Sequence, residues 1–202
     1  MTLATKKLII GLCLFCILSP LSAQPTKSNT PDVSISIYES HINKLLAAIG
    51  PISGKGKASM IGDYTWEARN PRIELQQGSA QFVADTTVRS GFINYSPQTK
   101  GQVAISYDAD KNKIKVKVVK ASFELYFELF GSRTHLTDID ISSFYQQEFE
   151  FDGPSVESEV QVAVSDTQKK KLRLKLDTPT LQVEPKRIVL NAGILVSESG
   201  SK

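Results

Sequence analysis

The chain is poor in the residue types from which small catalytic and metal sites are built. Among 202 residues it has two cysteines, Cys13 and Cys16, and two histidines, His41 and His135. Beyond Ala23 there is no thiol, so no disulfide can staple the fold and it must rest on its own core. The histidines are far apart and no His-Glu-x-x-His pairing exists, so no zinc pattern is present. No Gly-x-Ser-x-Gly elbow presents a serine to a histidine either. Asp108, Asp110 and Asn112 resemble the opening of a calcium loop, but Lys113 stands where that loop needs glycine and Val119 where it needs a glutamate. A hairpin turn rich in Asp and Asn accounts for them. Asp138 and Asp140 share one face of an extended segment without any further sign of an acid–base pair. The reading is therefore no enzyme, no catalytic residue, no metal and no cofactor.

Long apolar runs are also missing. The longest, Leu8–Leu18, is well short of the ~20 residues of a membrane-spanning helix. Preceded by Lys6 and Lys7 and followed by the small-residue stretch Pro20–Ala23, it reads as a secretory signal cleaved after Ala23. Leu12 and Phe15 precede the cysteines where a lipid-attachment signal needs a small residue, which argues against an anchor. The expected location is extracytoplasmic, periplasmic or secreted. The formal charge of +3 loses two units with Lys6 and Lys7 and becomes +1, which favours no partner by itself.

What the chain has in quantity is alternation. Residues 24–31 (QPTKSNTP) form a polar, proline-bearing flexible linker, 32–197 a single β-rich domain, and 198–202 a disordered tail. Val33–Tyr38 alternates as a strand, after which Ile42, Leu45, Leu46 and Ile49 recur at helical spacing until Gly50-Pro51 stops the helix. Alternating segments follow, around Tyr64–Ala68, Ile73–Leu75, Ala80–Ala84, Val103–Tyr107, Ile114–Leu129, Val160–Val164, Leu172–Leu176 and Leu181–Val196. Pairing Tyr107 with Ile114, Ile105 with Val116 and Val103 with Val118 puts all of them on one face. At Val118-Val119 the apolar phase slips by one residue, which predicts a bulge and a bend. Gly131–Ile139 reads as a connection, and Asp140–Phe149 as a short helical turn or an irregular crossing. One register of the next hairpin sets Glu159 opposite Lys175. The fold class is α+β and β-rich, a long curved antiparallel sheet with one amphipathic N-terminal helix packed on it.

Two sets of residues carry the functional reading. Leu45, Leu46, Ile49, Phe82, Val116, Val118, Phe123, Leu125 and Phe127 form a large apolar surface with one helix to cover it, which makes them candidates for a ligand groove. Lys113, Lys115, Lys117, Lys171, Arg173 and Lys175 fall on the opposite strand faces, as a solvated surface or as a contact for anionic lipid. Nucleic acid is disfavoured, because no outward aromatics interleave with these cations. Asn94-Tyr95-Ser96 matches the N-glycosylation acceptor, with Pro97 just after it.

The segments VSISIYESHINKLLAAIG, NPRIELQQGSAQFVAD, KNKIKVKVVKASFELYFEL and LQVEPKRIVL together resemble the layout of the tubular lipid-binding superfamily (TULIP) of the bactericidal/permeability-increasing protein and its small bacterial relatives. That resemblance spans residues 33–196 and implies a groove between helix and curled sheet for an acyl chain or another elongated apolar ligand. The family's second long helix has no counterpart beyond Asp140–Phe149. The expected function is an exported, non-enzymatic protein that binds a lipid or hydrophobic small molecule, with peripheral contact to an anionic membrane. The alternative is an extracytoplasmic β-sandwich module that binds proteins or glycans or plays a structural role.

Overall fold

The computed structural model describes residues 30–91, 93–156 and 159–199. The expected leader, the linker up to Asn29 and tail residues 200–202 lie outside these. In chain order the elements are β1 (Val33–Tyr38), α1 (Glu39–Ala47), β2 (Ile52–Ala58), β3 (Gly62–Gln76), β4 (Ser79–Ser90), β5 (Ile93–Tyr95) and β6 (Gln98–Asp108). Then come β7 (Lys113–Leu129), β8 (Ser132–Asp140), a 3-10 turn (Ser142–Tyr145), β9 (Glu148–Asp152), β10 (Glu159–Ala163), β11 (Lys169–Glu184) and β12 (Arg187–Glu198). Strand makes up 70% and helix 8% of the structure, and the antiparallel sheets curl as half-barrels.

There are two sheets rather than the one expected from sequence. The larger runs β2-β3-β4-β6-β7-β8, with β5 added to β4 and β9 to β7, and the smaller runs β1-β12-β11-β10. Alternation tells which side of a strand is apolar and not which strand lies beside it, so the division is invisible to periodicity. The sheets meet where the β3–β4 hairpin abuts the β11–β12 turn. There Gly78 N–H donates to Val183 O (2.8 Å) and Lys186 N–H to Leu75 O (3.3 Å).

The expected bulge lies in β7. Val103 pairs with Val118 but Gln102 pairs with Lys120, which leaves Val119 as the extra residue, turned to solvent. On its two sides Ile114, Val116 and Val118, then Ala121, Phe123 and Leu125, all point into the core. Residues 131–139 are not a connection, however. Ser132–Asp140 forms β8, whose few half-buried apolar side chains gave too weak an alternation to mark it as a strand. The β10–β11 turn is also tighter than the expected register needs, with Val164 N–H bonded to Gln168 O (2.8 Å), so Glu159 faces Arg173 instead of Lys175. Strand β12 continues through Glu198, and Ser199 N–H bonds Lys171 O (2.8 Å), so the strand passes the expected start of a disordered tail.

Helix α1 solves an edge problem. Strand β2 pairs with β3 only from Gly62 to Ala68, so the rest of that edge has no strand neighbour. The Asn43 side chain takes the neighbour's place, accepting from Ile73 N–H (2.7 Å) and donating to Ile73 O (3.0 Å). One pleat further on, the Glu39 carboxylate accepts from Leu75 N–H (2.7 Å) and from the Lys186 ammonium (2.9 Å). Unpaired strand edges recruit other chains, and here side chains cap one. At the far end of the curl, His41 meets Phe151 of β9 edge-on with ring centres 5.6 Å apart. The helix thus touches both β3 and β9.

The interior is filled. Ile42 and Leu46 enter it from α1, Tyr145 enters from the 3-10 turn against Phe82 (4.6 Å between rings), and Trp66 lies against Phe123 (5.7 Å) and Phe144 (5.5 Å). Glycines shape one wall. A Cβ at Gly54 would sit 2.5 Å from the Trp66 ring and one at Gly56 2.3 Å from the Tyr64 hydroxyl, so both rings lie across glycines of β2.

Replacing Glu39 with alanine leaves the Leu75 N–H without its acceptor, which should cost ~1–3 kcal/mol in urea unfolding, while Glu39→Gln keeps an acceptor and loses less. Equal stability of the two variants would contradict the edge-capping role. Tyr145 gives the opposite sign, because among the described residues its buried hydroxyl has no partner. Tyr145→Phe should therefore melt at the same temperature as the parent or higher. Burial pushes this phenol from 10.0 up to about 12, so the cost of burying it is least below pH 10 and grows as pH rises toward 12, where the unfolded chain gives up the proton more readily than the folded one. Melts across that window should decline less steeply in the variant.

Candidate functional site

The expected groove residues are core. Leu46, Phe82, Val116, Val118, Phe123 and Leu125 are buried in one cluster, Ile49 and Phe127 pack at its margin, and Leu45 lies on the exposed side of α1. Among the described residues, four of the better-formed hollows have volumes of about 440 to 680 Å³, and none of these groove candidates lines any of the four.

The cationic rows divide. On β7, Lys113, Lys115 and Lys117 stand in register with Asp152, Glu150 and Glu148 of β9. Lys113 reaches Asp152 (2.6 Å), and Lys115 reaches Asp108 (3.2 Å), Glu148 (3.7 Å) and Glu150 (4.0 Å). Hydrogen bonds to Asp152 and Asp108 hold these two ammonium groups above the ordinary lysine range. The Lys111 N–H and then Lys115 hold the Asp108 carboxyl below its usual range. This row is therefore a matched acid–base ladder with little charge left for an anionic surface. The ladder is not legible in the sequence, because Asp140–Phe149, where β9 begins, reads as a short helical turn or an irregular crossing. On β11, Arg173 pairs with Glu159 (3.5 Å), whereas among the described residues Lys171 and Lys175 have no carboxylate within 4.0 Å.

The remaining candidates resolve as local structure. Asp108 accepts from Lys111 N–H (3.2 Å), and the Asn112 side chain bonds both the Tyr107 hydroxyl (2.8 Å) and Pro154 O (3.0 Å), as in a hairpin turn. Asp140 caps the 3-10 turn, since the hydroxyl and N–H of Ser142 both donate to it and hold its pKa low. His135 bonds Glu124 (3.2 Å) beside Arg133, which also pairs with Glu124 and lies over the Tyr126 ring. Asn94 lies in β5 and is exposed. Among the described residues no group of His, Cys, Asp and Glu is placed to hold a metal ion, and no helix is long and apolar enough to cross a membrane.

What stands open is the outer end of the small sheet. Along the inward side of β12, Ile188 and Leu190 are fully buried, Ala192 is 3% exposed, Ile194 is half-buried and Val196 is 57% exposed. The register places Leu176 beside Ile194, Leu174 beside Val196, and Val160 beside Leu172. The core side of this sheet thus continues past its cover as an apolar ramp. Its exposure could not be read from alternation, which marks a face as apolar without saying whether anything lies over it. The other side of the same strands carries Lys169, Lys171, Arg173 and Lys175, all exposed, with Leu195 between β12 polar residues.

Comparisons with protein-family models, with curated proteins and with solved structures return no match to this chain.

Proposed function

We propose that this is an exported, non-enzymatic protein that binds an elongated apolar ligand, such as a lipid acyl chain, on the ramp formed by β10, β11 and β12. The observation that carries the reading is the rise in exposure along one apolar face of β12, from a sealed core at Leu190 to open solvent at Val196. Surfaces of this kind are uncommon on soluble domains unless something covers them. The groove moves accordingly from between helix and sheet, where side chains fill the space, to the free end of the small sheet. Kinship with tubular lipid-binding proteins remains part of this proposal and is supported by the curled sheets around one helix.

Magnitudes limit how tight such a site can be. From Leu172 to Leu176 the ramp is ~13 Å long, enough for about ten methylenes. With ~0.8 kcal/mol for a fully buried methylene and half of each covered, the gain is about 4 kcal/mol, a dissociation constant on the order of 1 mM. A chain lying on the open face alone exchanges readily. Tighter binding calls for a second wall.

The filled interior favours a second reading, a β-rich module that docks a protein on the same ramp. Organic extraction of the purified protein followed by mass spectrometry separates them, with co-purifying lipid expected for the first. Leu174→Asp and Val196→Asp should leave the fold intact, because the new charges stay hydrated, yet abolish binding of a fluorescent fatty acid. Phe123→Asp should unfold the protein, since it places an unpaired charge in the core. Fatty-acid binding that survives both ramp substitutions would eliminate the proposal.

A further inference from the structure

The large sheet ends, away from the small one, in a set of turns that the functions above leave unused. Strands β4 and β7 run parallel to each other and opposite to β3, so the β2–β3, β4–β5 and β7–β8 turns all lie at this end. The β3–β4 hairpin, which joins the small sheet, lies at the other.

Two of these turns hold apolar side chains out to solvent. Met60, in the β2–β3 turn, is 59% exposed, and Phe130, in the β7–β8 turn, is 98% exposed. Leu129 pairs with Ser132, so Phe130-Gly131 is a two-residue hairpin turn, with φ of 49° and 78°. That geometry selects Asn, Asp or Gly at its first position, because a bulky side chain is strained in the left-handed region. A phenylalanine there fits neither the backbone nor the solvent.

Cations stand close behind. Lys55 and Arg89 flank Thr65 in one row across β2, β3 and β4, and Lys57 lies opposite Asp63 in the next. These cations border one hollow of about 680 Å³ together with Asp63, Tyr64, Ser90 and Gly91, so three cations face one acid there. Among the described residues none of the three has a carboxylate within 4.0 Å, and Glu67, the acid next along β3, is already held by Arg69 (2.7 Å).

We propose that this end of the large sheet docks on an anionic lipid bilayer, with Phe130 and Met60 entering the interface and Lys55, Lys57 and Arg89 meeting the head groups. A protein partner is less well suited, because a stable interface needs roughly 800 Å² of matched surface on each side, whereas isolated tips offer only single side chains. A bilayer interface accepts such tips singly and adds attraction for each cation near its surface. The proposal uses residues and a surface separate from the ramp, so either reading can fail alone.

The test is flotation of the purified protein with phosphatidylcholine vesicles, with and without phosphatidylglycerol. The parent should bind the anionic vesicles and be released by salt. Phe130→Asn gives the turn the residue its backbone favours, so it should keep or raise the melting temperature while lowering vesicle affinity roughly tenfold or more. Lys57→Gln with Arg89→Gln should remove the preference for phosphatidylglycerol, and Val196→Asp should bind vesicles like the parent. Absence of binding by the parent would overturn the proposal. So would full binding by Phe130→Asn, or loss of binding in Val196→Asp with Phe130→Asn unaffected.

Discussion

The arrangement depends on how strand β3 is completed. Over the half that β2 does not reach, its backbone groups at Ile73 and Leu75 are satisfied by Asn43, Glu39 and the Lys186 backbone. Remove that arrangement and three things suffer together: the edge is bare, α1 loses its bearing, and the small sheet loses one of its ties to the large one. An amide suits position 43 because it donates and accepts at once, as a strand neighbour would. A carboxylate suits position 39 because one N–H and one ammonium converge there. The N-terminal helix is thus as much a substitute strand as a hydrophobic lid.

With the helix held there, most of the side chains expected to line a groove are packed in the core. Ile42 and Leu46 occupy one part and Tyr145 another, so the apolar surface that remains must lie where the cover runs out. Strand β12 extends past β1, whose first residue Val33 pairs with Ala192. From there outward, among the described strands, only β11 and β10 accompany it, and the apolar face continues on a thinner sheet. The opposite side carries Lys169, Lys171, Arg173 and Lys175 of β11, all exposed. Charged and apolar surface are therefore divided between the two faces of this part of the small sheet.

Much of this was legible in the residues. The helix, its stop at Gly50, the β6–β7 register and the extra residue at Val119 all follow from period and phase, which are local properties. Partnership was not legible. Nothing in Ser132–Asp140 announces a strand, because β8 lies at a sheet edge and buries little, and nothing in Glu148–Asp152 says that its acids will face the lysines of β7. The same limit explains the groove. Phe82, Phe123 and Leu125 were recognisable as apolar and inward, but whether inward means packed or vacant depends on α1 and the 3-10 turn, which arrive from elsewhere in the chain. Phe130 escaped notice for another reason: a single apolar residue beside glycine carries no periodic signal, and its meaning appears only with its backbone angle and exposure.

The extra residue at Val119 also makes β7 two strands in one. Its first half reads its inward residues on even positions, Ile114 to Val118, and its second half on odd ones, Ala121 to Leu125. Neither half can drift along its neighbours without breaking phase with the other, so the bulge acts as a fixed point for the whole sheet. Gain or loss of one codon within either half would invert that half alone, exchanging its oily side for its charged one. Added or deleted residues in this part of the chain should consequently be accommodated best at the tips of its hairpins, the same places where exposed side chains are free to acquire new contacts.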